Sequence, residues 1–566
     1  MSAELTFPTA STPNPLSISA EAQAWVNRTR DNLSVEQQIA QLFVLSSRED
    51  TDAEIDELCG VQPGGIHRFP TESLDRAWYA TREVMARSEV PMLLSGDIEG
   101  GTISYPFCTQ IPNQMGIAAC DDLALTEALA RVLAVESRAL GYNWSLTPVV
   151  DINRAFRSAL IGTRSYGSNV DKIIEHGCTH VRTLQAHGLA ATAKHWPGDG
   201  LDDRDQHVAT TVNSQTLDEW MQTFGRIFRA LIDQGVASVM SAHIAFPAFI
   251  RSMLPNAGRS AFEPASVSKL LNEELLRNRL GFRGLIVSDS TAMGGLTSWM
   301  DRATAVPAVI ENGCDVFLFS RNAAGDMKHM LDGLRAGRLS ERRLNEAVTR
   351  VLTFKASLGL HTASLESRLA PLEQVRAQLQ TVSHRAVARE AAGRSLTLVK
   401  DTQQLLPLDP TRHRRVVIIS DAGSNFFAGA PARSFAPLCD ELTRRGFEVR
   451  AFDPHAVPTR ENADLVLYVL GQEATPTASH IYIDFAKLHA GGRNAMRQFN
   501  RELPTMLISF GQPYFLYDAP NFQTYVNGYC SLADQQIELA RRLVGEASFS
   551  GVSPVDAFCG LEQLRW

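Results

Sequence analysis

One short stretch of the chain concentrates side chains that can transfer protons or bind polar ligands. Residues 193–210 read AKHWPGDGLDDRDQHVAT, in which a Pro-Gly turn separates Lys194 and His195 from a run of acids. Asp205 lies two residues before His207, so a turn can place its carboxylate on one imidazole nitrogen and leave the other for proton transfer. A solvated acidic loop has a similar composition, and a metal site here would lack the helix-spaced histidines of common zinc motifs. The surrounding elements must decide between these interpretations.

Three further candidate site residues lie at or beyond the ends of short apolar segments. Asp289 lies between two serines in GLIVSDS (284–290), where it can be a nucleophile towards an anomeric carbon, a metal ligand or the cap of the next helix. Asp97 ends PMLLSGD, and the Gly-Gly pair at 100–101 lets a ligand approach the backbone closely. Arg164 lies in the glycine-bounded loop IGTRSYG. The glycines do not form G-x-G-x-x-G and no Walker motif occurs, so nucleotide-phosphate binding is unsupported.

Apolar runs that alternate with amphipathic segments would position these side chains. The runs lie at 41–46, 64–69, 91–97, 144–151, 189–195, 237–243, 284–290 and 315–320. Such alternation predicts parallel strands covered by helices, and eight strands in roughly 300 residues is the number in a (β/α)₈ TIM-type barrel. Because most of the runs end in polar residues, we expect those residues to share the rim where barrel enzymes carry their active sites.

A second alternation begins after residue 395. Strand-like runs occur at 414–420, 447–452, 463–471, 504–511 and 523–529, and helices are predicted at 435–446 and 533–545. This pattern is typical of a smaller α/β sandwich. With a helical connection at 361–395, the chain is predicted to consist of a barrel domain at 1–375 and a C-terminal α/β sandwich domain at 376–566.

Composition narrows the classes of function. The 566 residues are 44% hydrophobic and carry a formal charge of −8 without a basic block, which argues against nucleic acid as a partner. Eight scattered cysteines without a C-x-x-C pair fit reduced thiols. The N-terminus lacks the features of a signal peptide, and no run of about 18 apolar residues predicts a membrane helix. We expect a cytoplasmic protein with no nucleic-acid or membrane partner; its oligomeric state is left open.

The motifs together resemble glycoside hydrolase family 3, specifically its β-N-acetylglucosaminidase branch. D-x-E-G-G occurs at 97–101, I-G-x-R-S-[FY] at 161–166, K-H-[FW]-P-G-x-G-x₄-D-x-H at 194–207 and G-F-x-G-[LV]-I-x-S-D at 281–289. The second domain resembles the family's C-terminal sandwich from S-[LIV]-T-L-[LV]-K at 395–400 onwards. The resemblance covers most of the chain and implies a two-domain enzyme without a metal or other cofactor.

The resemblance also implies a role for particular residues. Asp289 would be the nucleophile that forms a covalent glycosyl-enzyme, and His207, oriented by Asp205, the general acid/base. The residues implied to bind the hydroxyls of the sugar are Asp97, Arg164, Lys194 and His195. The implied activity is that of a retaining exo-β-glycosidase, a β-N-acetylhexosaminidase that removes terminal β-N-acetylglucosamine from a small carbohydrate substrate.

Several alternatives remain at this point. A neutral imidazole repels an anion less than a carboxylate does, so phosphate can replace water and make the enzyme a phosphorylase. A β-glucosidase of the same family is the nearest rival, and Glu473 is the candidate acid if the Asp-His pair is not used. A non-catalytic sugar-binding protein and a metal-dependent barrel hydrolase are more remote.

The sequence also departs from the pattern of the branch it resembles. Trp196 and Asp199 replace a common phenylalanine and histidine, while Thr102 and Tyr105 replace common arginines. These departures leave the identity of the sugar open but keep the residues implied to carry the chemistry.

Overall fold

Parallel strands in the first part of the chain form a curled sheet. The computed structural model describes residues 13–101, 104–423, 433–496, 499 and 502–566. The first strands are β1 (Phe43–Ser47), β2 (Gly65–Arg68), β3 (Leu93–Gly96), β4 (Trp144–Ser145), β5 (Thr192–Trp196), β6 (Thr211–Val212), β7 (Ser238–Ser241), β8 (Ile244–Ala245), β9 (Leu285–Ser288) and β10 (Phe317–Leu318). Two parallel sheets have the orders β10-β1-β2-β3-β4 and β5-β7-β9, and β6 pairs with β8. Isolated parallel bridges, Trp144 to Ala190 and Val287 to Val316, link the two sheets.

Helices separate these strands along the chain. Their bounds are α1 (Ala20–Asn32), α2 (Val35–Ala40), α3 (Asp52–Val61), α4 (Leu74–Ala86), α5 (Gln114–Ala119), α6 (Leu123–Ala139), α7 (Val170–Ala186), α8 (Leu217–Gln222), α9 (Phe224–Asp233), α10 (Pro247–Met253), a π-helical segment (Leu270–Arg279), α11 (Gly294–Thr297), α12 (Arg302–Glu311), α13 (Ala323–Arg335) and α14 (Glu341–Ser357). Many begin after a residue such as Ser73 or Asn169, whose side chain accepts a hydrogen bond from a backbone N–H of the first turn. The alternation of strands and helices confirms the predicted α/β class.

Each of the eight predicted apolar runs overlaps a strand. The largest difference is β4, which covers only Trp144 and Ser145 of the run 144–151. Pro148 lies within that run and has no backbone N–H to donate to a neighbouring strand, which accounts for the early end. The two-residue strands β6 and β8 were not predicted, because two residues are too few to show a periodic pattern.

The last part of the chain contains a second sheet. Its strands are β11 (Thr397–Asp401), β12 (Arg415–Asp421), β13 (Glu448–Ala451), β14 (Leu465–Leu470), β15 (Thr505–Ser509) and β16 (Thr524–Asn527). The order is β11-β16-β15-β14-β12-β13, and only β11 runs antiparallel to its neighbour among these described strands. The helices of this part are α15 (Leu365–Arg368), α16 (Leu372–Gln378), α17 (Val382–Ser395), α18 (Ala436–Arg444), α19 (Phe485–Leu488), α20 (Gly492–Ala495) and α21 (Ala533–Leu543).

Successive residues of β12 point to opposite faces of this sheet. Ile418 packs with Leu442 of α18 and Leu539 of α21 in one apolar cluster, whereas Ile419 packs with Leu516 in another. This alternation follows from the two-residue repeat of a strand. Both faces of the central strands are therefore buried, as the continuous apolar runs predicted.

The two parts of the chain make direct contacts. Met115 and Ala119 of α5 pack with Tyr514 and Tyr529 in a small apolar cluster. Asn113 donates a hydrogen bond to the Tyr529 carbonyl at 2.8 Å. Among the described residues, no helix has the length and apolar character needed to cross a membrane. Residues 1–12, part of the segment predicted to lack a signal peptide, lie outside the described ranges.

Candidate active site

One cavity of about 380 Å³ collects the side chains that the sequence analysis selected. The selected residues that line it are Asp97, Arg164, Lys194, His195, His207 and Asp289. They follow or end four parallel strands or lie in the loops beyond them, as predicted for one rim. Asp205 does not line the cavity but lies buried behind His207.

Four charged side chains form a network on one side of the cavity, in which three are buried and Asp97 is partly exposed. Lys194 donates to Asp97 Oδ1 at 2.7 Å and contacts Glu99 Oε1 at 2.8 Å. Glu99 accepts two further hydrogen bonds from Arg164, through Nε and Nη2, both at 2.8 Å. Glu99 belongs to the D-x-E-G-G motif, but no role was predicted for it from the sequence. Its function in the structure is to fix the two cations that the resemblance assigned to sugar binding.

The network keeps its acids ionised despite their burial. Burial by itself raises the pKa of Glu99, but Arg164 and then Lys194 outweigh it and lower the pKa to about 2. Burial likewise opposes ionisation of Asp97, yet the charge of Lys194 and the contact with His67 hold the pKa of Asp97 well below its usual range. The cavity therefore presents charged groups that already have partners and fixed positions.

A second Asp-His pair supports the floor of the cavity. His195 donates through Nδ1 to Asp151 Oδ2 at 2.6 Å, and its backbone N–H donates to Asp151 Oδ1 at 3.1 Å. The backbone N–H of Asp199 also donates to Asp151 Oδ1, at 2.8 Å. Burial and the nearby Asp151 raise the pKa of Asp199 well above its usual range. Asp151 therefore orients His195, a role that was not predicted from the sequence.

Asp289 follows β9 and is held by backbone groups. Its N–H donates to the Ser241 carbonyl at 2.8 Å, and its Oδ1 accepts from the Ser290 N–H at 2.7 Å. Burial tends to raise the pKa of Asp289, but the adjacent histidines, His195 first, lower it overall. The carboxylate is thus ionised at neutral pH and lines the cavity, which are the properties that a nucleophile requires.

His207 and Asp205 form the pair that their spacing predicted. Asp205 Oδ1 accepts from both the backbone N–H and Nδ1 of His207, each at 2.8 Å. Burial tends to raise the pKa of Asp205, but its bonds to His207 lower it overall. With Nδ1 occupied by the carboxylate, Nε2 is the nitrogen of His207 available for proton exchange with a ligand.

The C-terminal part of the chain completes this site. Pro476 and Thr477, which follow β14, line the cavity, and the Thr477 N–H donates to Asp205 Oδ2 at 2.6 Å. Glu473, the alternative acid, does not line the cavity; it is buried and accepts from Asn113 Nδ2 at 3.1 Å. The second sheet therefore positions the Asp-His pair through a backbone group.

Two residues that depart from the family pattern, Trp196 and Tyr105, pack against other aromatic rings. Trp196 is fully buried, with its ring edge-on to those of Trp220 and Phe228. Tyr105 stacks on Phe107 at 4.8 Å between ring centroids. Neither residue lines the cavity. Thr102 lies outside the described residues.

Replacement of Glu99 by glutamine is expected to lower the free energy of unfolding by about 3–5 kcal/mol at neutral pH, because it removes the carboxylate that pairs with buried Arg164 and leaves Lys194 with Asp97 alone. The folded-state pKa of Glu99 is depressed from 4.5 to about 2, so its contribution is present above about pH 4.5 and is lost as the pH falls towards 2. Urea unfolding at pH 7 and pH 3 measures both effects. Glu127→Gln, which removes an exposed helix pair, is the control and should change stability by less than about 1 kcal/mol. Equal losses for the two variants would contradict the buried network.

Comparisons with known proteins identify the family to which the chain belongs. Residues 34–354 match the glycosyl hydrolase family 3 N-terminal domain. The chain is 37% identical to a β-N-acetylglucosaminidase/β-glucosidase of Cellulomonas fimi over 97% of this chain and 98% of the relative. Its structure is similar to that of the β-glucoside phosphorylase BglX bound to 2FGlc, with a TM-score of 0.90 and 33% identity over 97% and 99% of the two chains.

A more distant structure shares the fold. It is a glycoside hydrolase family 3 β-N-acetylglucosaminidase from Paenibacillus sp. str. FPU-7, with a TM-score of 0.76 and 24% identity over 93% of this chain and 99% of that chain. The whole-chain match to the C. fimi protein extends the likeness beyond the N-terminal domain. The resemblance seen in the motifs is thereby confirmed, and this chain belongs to glycoside hydrolase family 3.

Proposed function

We propose that this chain is a retaining exo-β-glycosidase that removes terminal β-N-acetylglucosamine, with terminal β-glucose as a second substrate. The observation that carries the proposal is the position of Asp289 and His207 in one cavity, with Asp205 on Nδ1 of the histidine. A cavity of about 380 Å³ suits one terminal sugar rather than several. The relative from C. fimi bears both activities in its name, which supports a site that accepts either sugar.

The first step cleaves the bond to the leaving group. The Asp289 carboxylate attacks the anomeric carbon while His207 donates a proton from Nε2 to the glycosidic oxygen. The carbon–oxygen bond to the leaving group breaks, and a covalent glycosyl-enzyme remains on Asp289. The lowered pKa of Asp289 keeps the nucleophile ionised at neutral pH.

The second step releases the sugar. His207, now neutral, takes a proton from the acceptor as its oxygen attacks the anomeric carbon, and the ester bond to Asp289 breaks. Two displacements at the same carbon restore the original configuration. Asp205 stabilises the imidazolium in the first step and keeps the ring oriented through both steps, since its carboxylate accepts from Nδ1.

The charged network supplies the binding site for the sugar. Asp97 and Arg164 line the cavity, and Glu99 and Lys194 fix their positions. Side chains held in place in this way lose little conformational entropy on binding, so their hydrogen bonds to hydroxyls contribute more to affinity. We assign them to the subsite of the sugar that Asp289 attacks.

The architecture proposed for this function is a closed (β/α)₈ barrel at 1–375 followed by an α/β sandwich at 376–566. The two parallel bridges between the sheets support closure, because they connect the edge strands β4 and β10 to the other sheet. A closed barrel would bring the ends of β3 and β9 to opposite sides of one opening. That arrangement would place sugar-binding residues and nucleophile across the same cavity.

Phosphorolysis is a second candidate, and Arg48 favours it. This residue lines the cavity, and its guanidinium lies 4.0 Å from the centroid of the Phe69 ring. Among the described residues its side chain has no carboxylate within ion-pair distance. A guanidinium that stacks on a ring but has no carboxylate partner is suited to an anionic acceptor, because it can donate two parallel hydrogen bonds to phosphate. The β-glucoside phosphorylase of known structure is 33% identical to this chain.

If phosphate is the acceptor, Arg48→Gln is expected to lower the ratio of phosphorolysis to hydrolysis by about tenfold, through a higher KM for phosphate. Arg48→Lys retains the charge and should lose less. The measurement is the yield of sugar 1-phosphate against free sugar as the phosphate concentration is varied. An unchanged ratio in Arg48→Gln would remove this residue from acceptor binding.

Product analysis tests the function itself. The chain is incubated with p-nitrophenyl β-N-acetylglucosaminide, or the β-glucoside, in phosphate buffer, and the first products are followed by NMR. Free sugar released with retained configuration supports the hydrolase, and sugar 1-phosphate supports the phosphorylase. Initial release of the inverted sugar, or the absence of cleavage of either substrate, would overturn the proposed mechanism.

A further inference from the structure

His67 lies directly behind the wall of the cavity that holds Asp289 and His207. It is the third residue of β2, is 1% exposed and does not itself line the cavity. Phe69 and Phe319 do line it, and each of their rings meets the His67 ring edge-on at 4.9 Å between centroids. The orientation of the imidazole is therefore set by two residues that border the site of the sugar.

The two ring nitrogens of His67 face polar side chains on β3 and just after it. Nδ1 lies 3.1 Å from the Ser95 hydroxyl oxygen, and His67 and Ser95 are paired in the register of β2 and β3. Nε2 lies 3.5 Å from Asp97 Oδ2. A nitrogen lone pair would repel the carboxylate, so Nε2 carries a hydrogen and its contact with Asp97 is attractive. Nδ1 can then accept a hydrogen bond from the Ser95 hydroxyl.

Asp97 thereby has a donor beside each of its carboxylate oxygens. Lys194 donates to Oδ1 at 2.7 Å, and His67 lies beside Oδ2. The Asp97 side chain is 21% exposed, whereas both donors are buried, so they approach the carboxylate from its buried side. Each oxygen can accept more than one hydrogen bond, which leaves acceptor sites for a ligand in the cavity. A carboxylate held at both oxygens loses little conformational entropy when sugar hydroxyls bind to it.

The backbone of Phe319 is an unusual feature of the same wall. Its φ is +53°, in the left-handed region that bulky side chains rarely adopt. The conformation is held on both sides, because the N–H donates to the Val44 carbonyl at 3.1 Å and the carbonyl accepts from the Thr291 hydroxyl at 2.5 Å. Backbone strain of this kind persists where the surroundings enforce it, and it is concentrated at functional sites. Here it accompanies the contact of the Phe319 ring with His67.

We propose that His67 is a positioning residue for sugar binding, which fixes Asp97 Oδ2 so that the carboxylate accepts hydrogen bonds from two neighbouring hydroxyls of the sugar. This inference rests on the proposed function, which assigns Asp97 to the sugar subsite. His67 acts through Asp97 and not on the sugar itself, because it does not line the cavity. The effect of His67 on affinity therefore requires Asp97.

A double-mutant cycle tests this dependence on Asp97. We expect His67→Leu to lower kcat/KM for the p-nitrophenyl glycoside by about tenfold in the native background and by less than about twofold in the Asp97→Ala background. His67→Gln keeps an N–H donor and should recover most of the loss. Ser95→Ala, a smaller change that removes the partner of Nδ1, should lower kcat/KM by about two- to threefold and only where Asp97 is present. Equal losses in the two backgrounds would overturn the proposal, because a general structural defect does not require Asp97.

Monodeoxy p-nitrophenyl glycosides identify the hydroxyls that are involved. A substrate that lacks a hydroxyl bound by Asp97 should be less sensitive to Asp97→Ala, and the same substrate should be less sensitive to His67→Leu. The matched control is His489→Leu: that histidine is also 1% exposed, has the Tyr468 hydroxyl 2.8 Å from Nε2 and lies outside the cavity. The control should leave kcat/KM of the folded chain unchanged for every substrate. Equal losses in His67→Leu for every deoxy substrate would contradict a role through Asp97.

Binding of the free sugar separates this proposal from the proposed function. Calorimetric titration of the full-length Asp289→Asn chain with N-acetylglucosamine and with glucose measures affinity without turnover. If no glycoside is cleaved but His67→Leu weakens the binding of either sugar, the role of His67 stands and the proposed function fails. If the p-nitrophenyl glycoside is cleaved but His67→Leu changes neither kcat/KM nor the affinity for the free sugar, the proposal for His67 fails alone.

Discussion

Asp289→Asn is expected to lower turnover by about 10⁴-fold or more while leaving the fold intact. The amide has nearly the shape of the carboxylate and can still accept from the Ser290 N–H, so the local structure has little reason to change. It cannot form an ester with the anomeric carbon, however, and the covalent route is closed. Steady-state hydrolysis of a p-nitrophenyl glycoside measures the loss.

Two further measurements distinguish Asp289 as the nucleophile from a residue that assists catalysis without forming a covalent bond to the sugar. A 2-deoxy-2-fluoro glycoside should accumulate as a covalent adduct on the peptide that contains Asp289 in the native chain, and no adduct should form in Asp289→Asn. Azide should restore activity to Asp289→Gly and yield a glycosyl azide of inverted configuration. Asp332→Asn, which removes an exposed carboxylate paired with Lys328 on α13, is the control. Near-normal turnover of Asp289→Asn would refute the assignment.

His207→Ala is expected to reduce turnover of substrates with poor leaving groups by about 10²–10⁴-fold. The reason is that alkyl and sugar leaving groups need a proton as the bond breaks, whereas dinitrophenolate does not. Formation of the glycosyl-enzyme from a dinitrophenyl glycoside should therefore be much less affected. Rates measured across a series of leaving groups should show a steep dependence in the variant and a shallow one in the native chain.

Asp205→Asn, assayed with the same series of leaving groups, tests whether Asp205 orients His207. Since the pKa of Asp205 is lowered below its usual value, the native chain has a carboxylate on Nδ1 at neutral pH, and asparagine removes its charge. We expect a loss smaller than that of His207→Ala, with the same leaving-group pattern. Azide should rescue His207→Ala with retained configuration. His455→Ala, at an exposed turn, is the control. Equal losses of turnover for all leaving groups in His207→Ala would argue against His207 as the acid.

Much of this site follows from local sequence. The apolar runs predict strands because a buried parallel strand has no polar face, and the end of a strand fixes which residue reaches the rim. Asp97 and Asp289 could be selected for that reason. The Asp205–His207 pair was predictable because two residues separated by one position can meet within a single turn.

The remainder of the site depends on groups that lie far apart in the chain. Glu99 meets Arg164 across 65 positions, and Asp205 meets the Thr477 N–H across 272. The sequence determined which side chains reach the rim of the first sheet, and it determined the Asp-His pair. Only the tertiary structure decided that Glu99 fixes the cations proposed to bind the sugar and that the second sheet helps to hold the proposed acid/base pair. The physical reason is that these contacts arise from packing between distant segments, for which no local period or spacing exists.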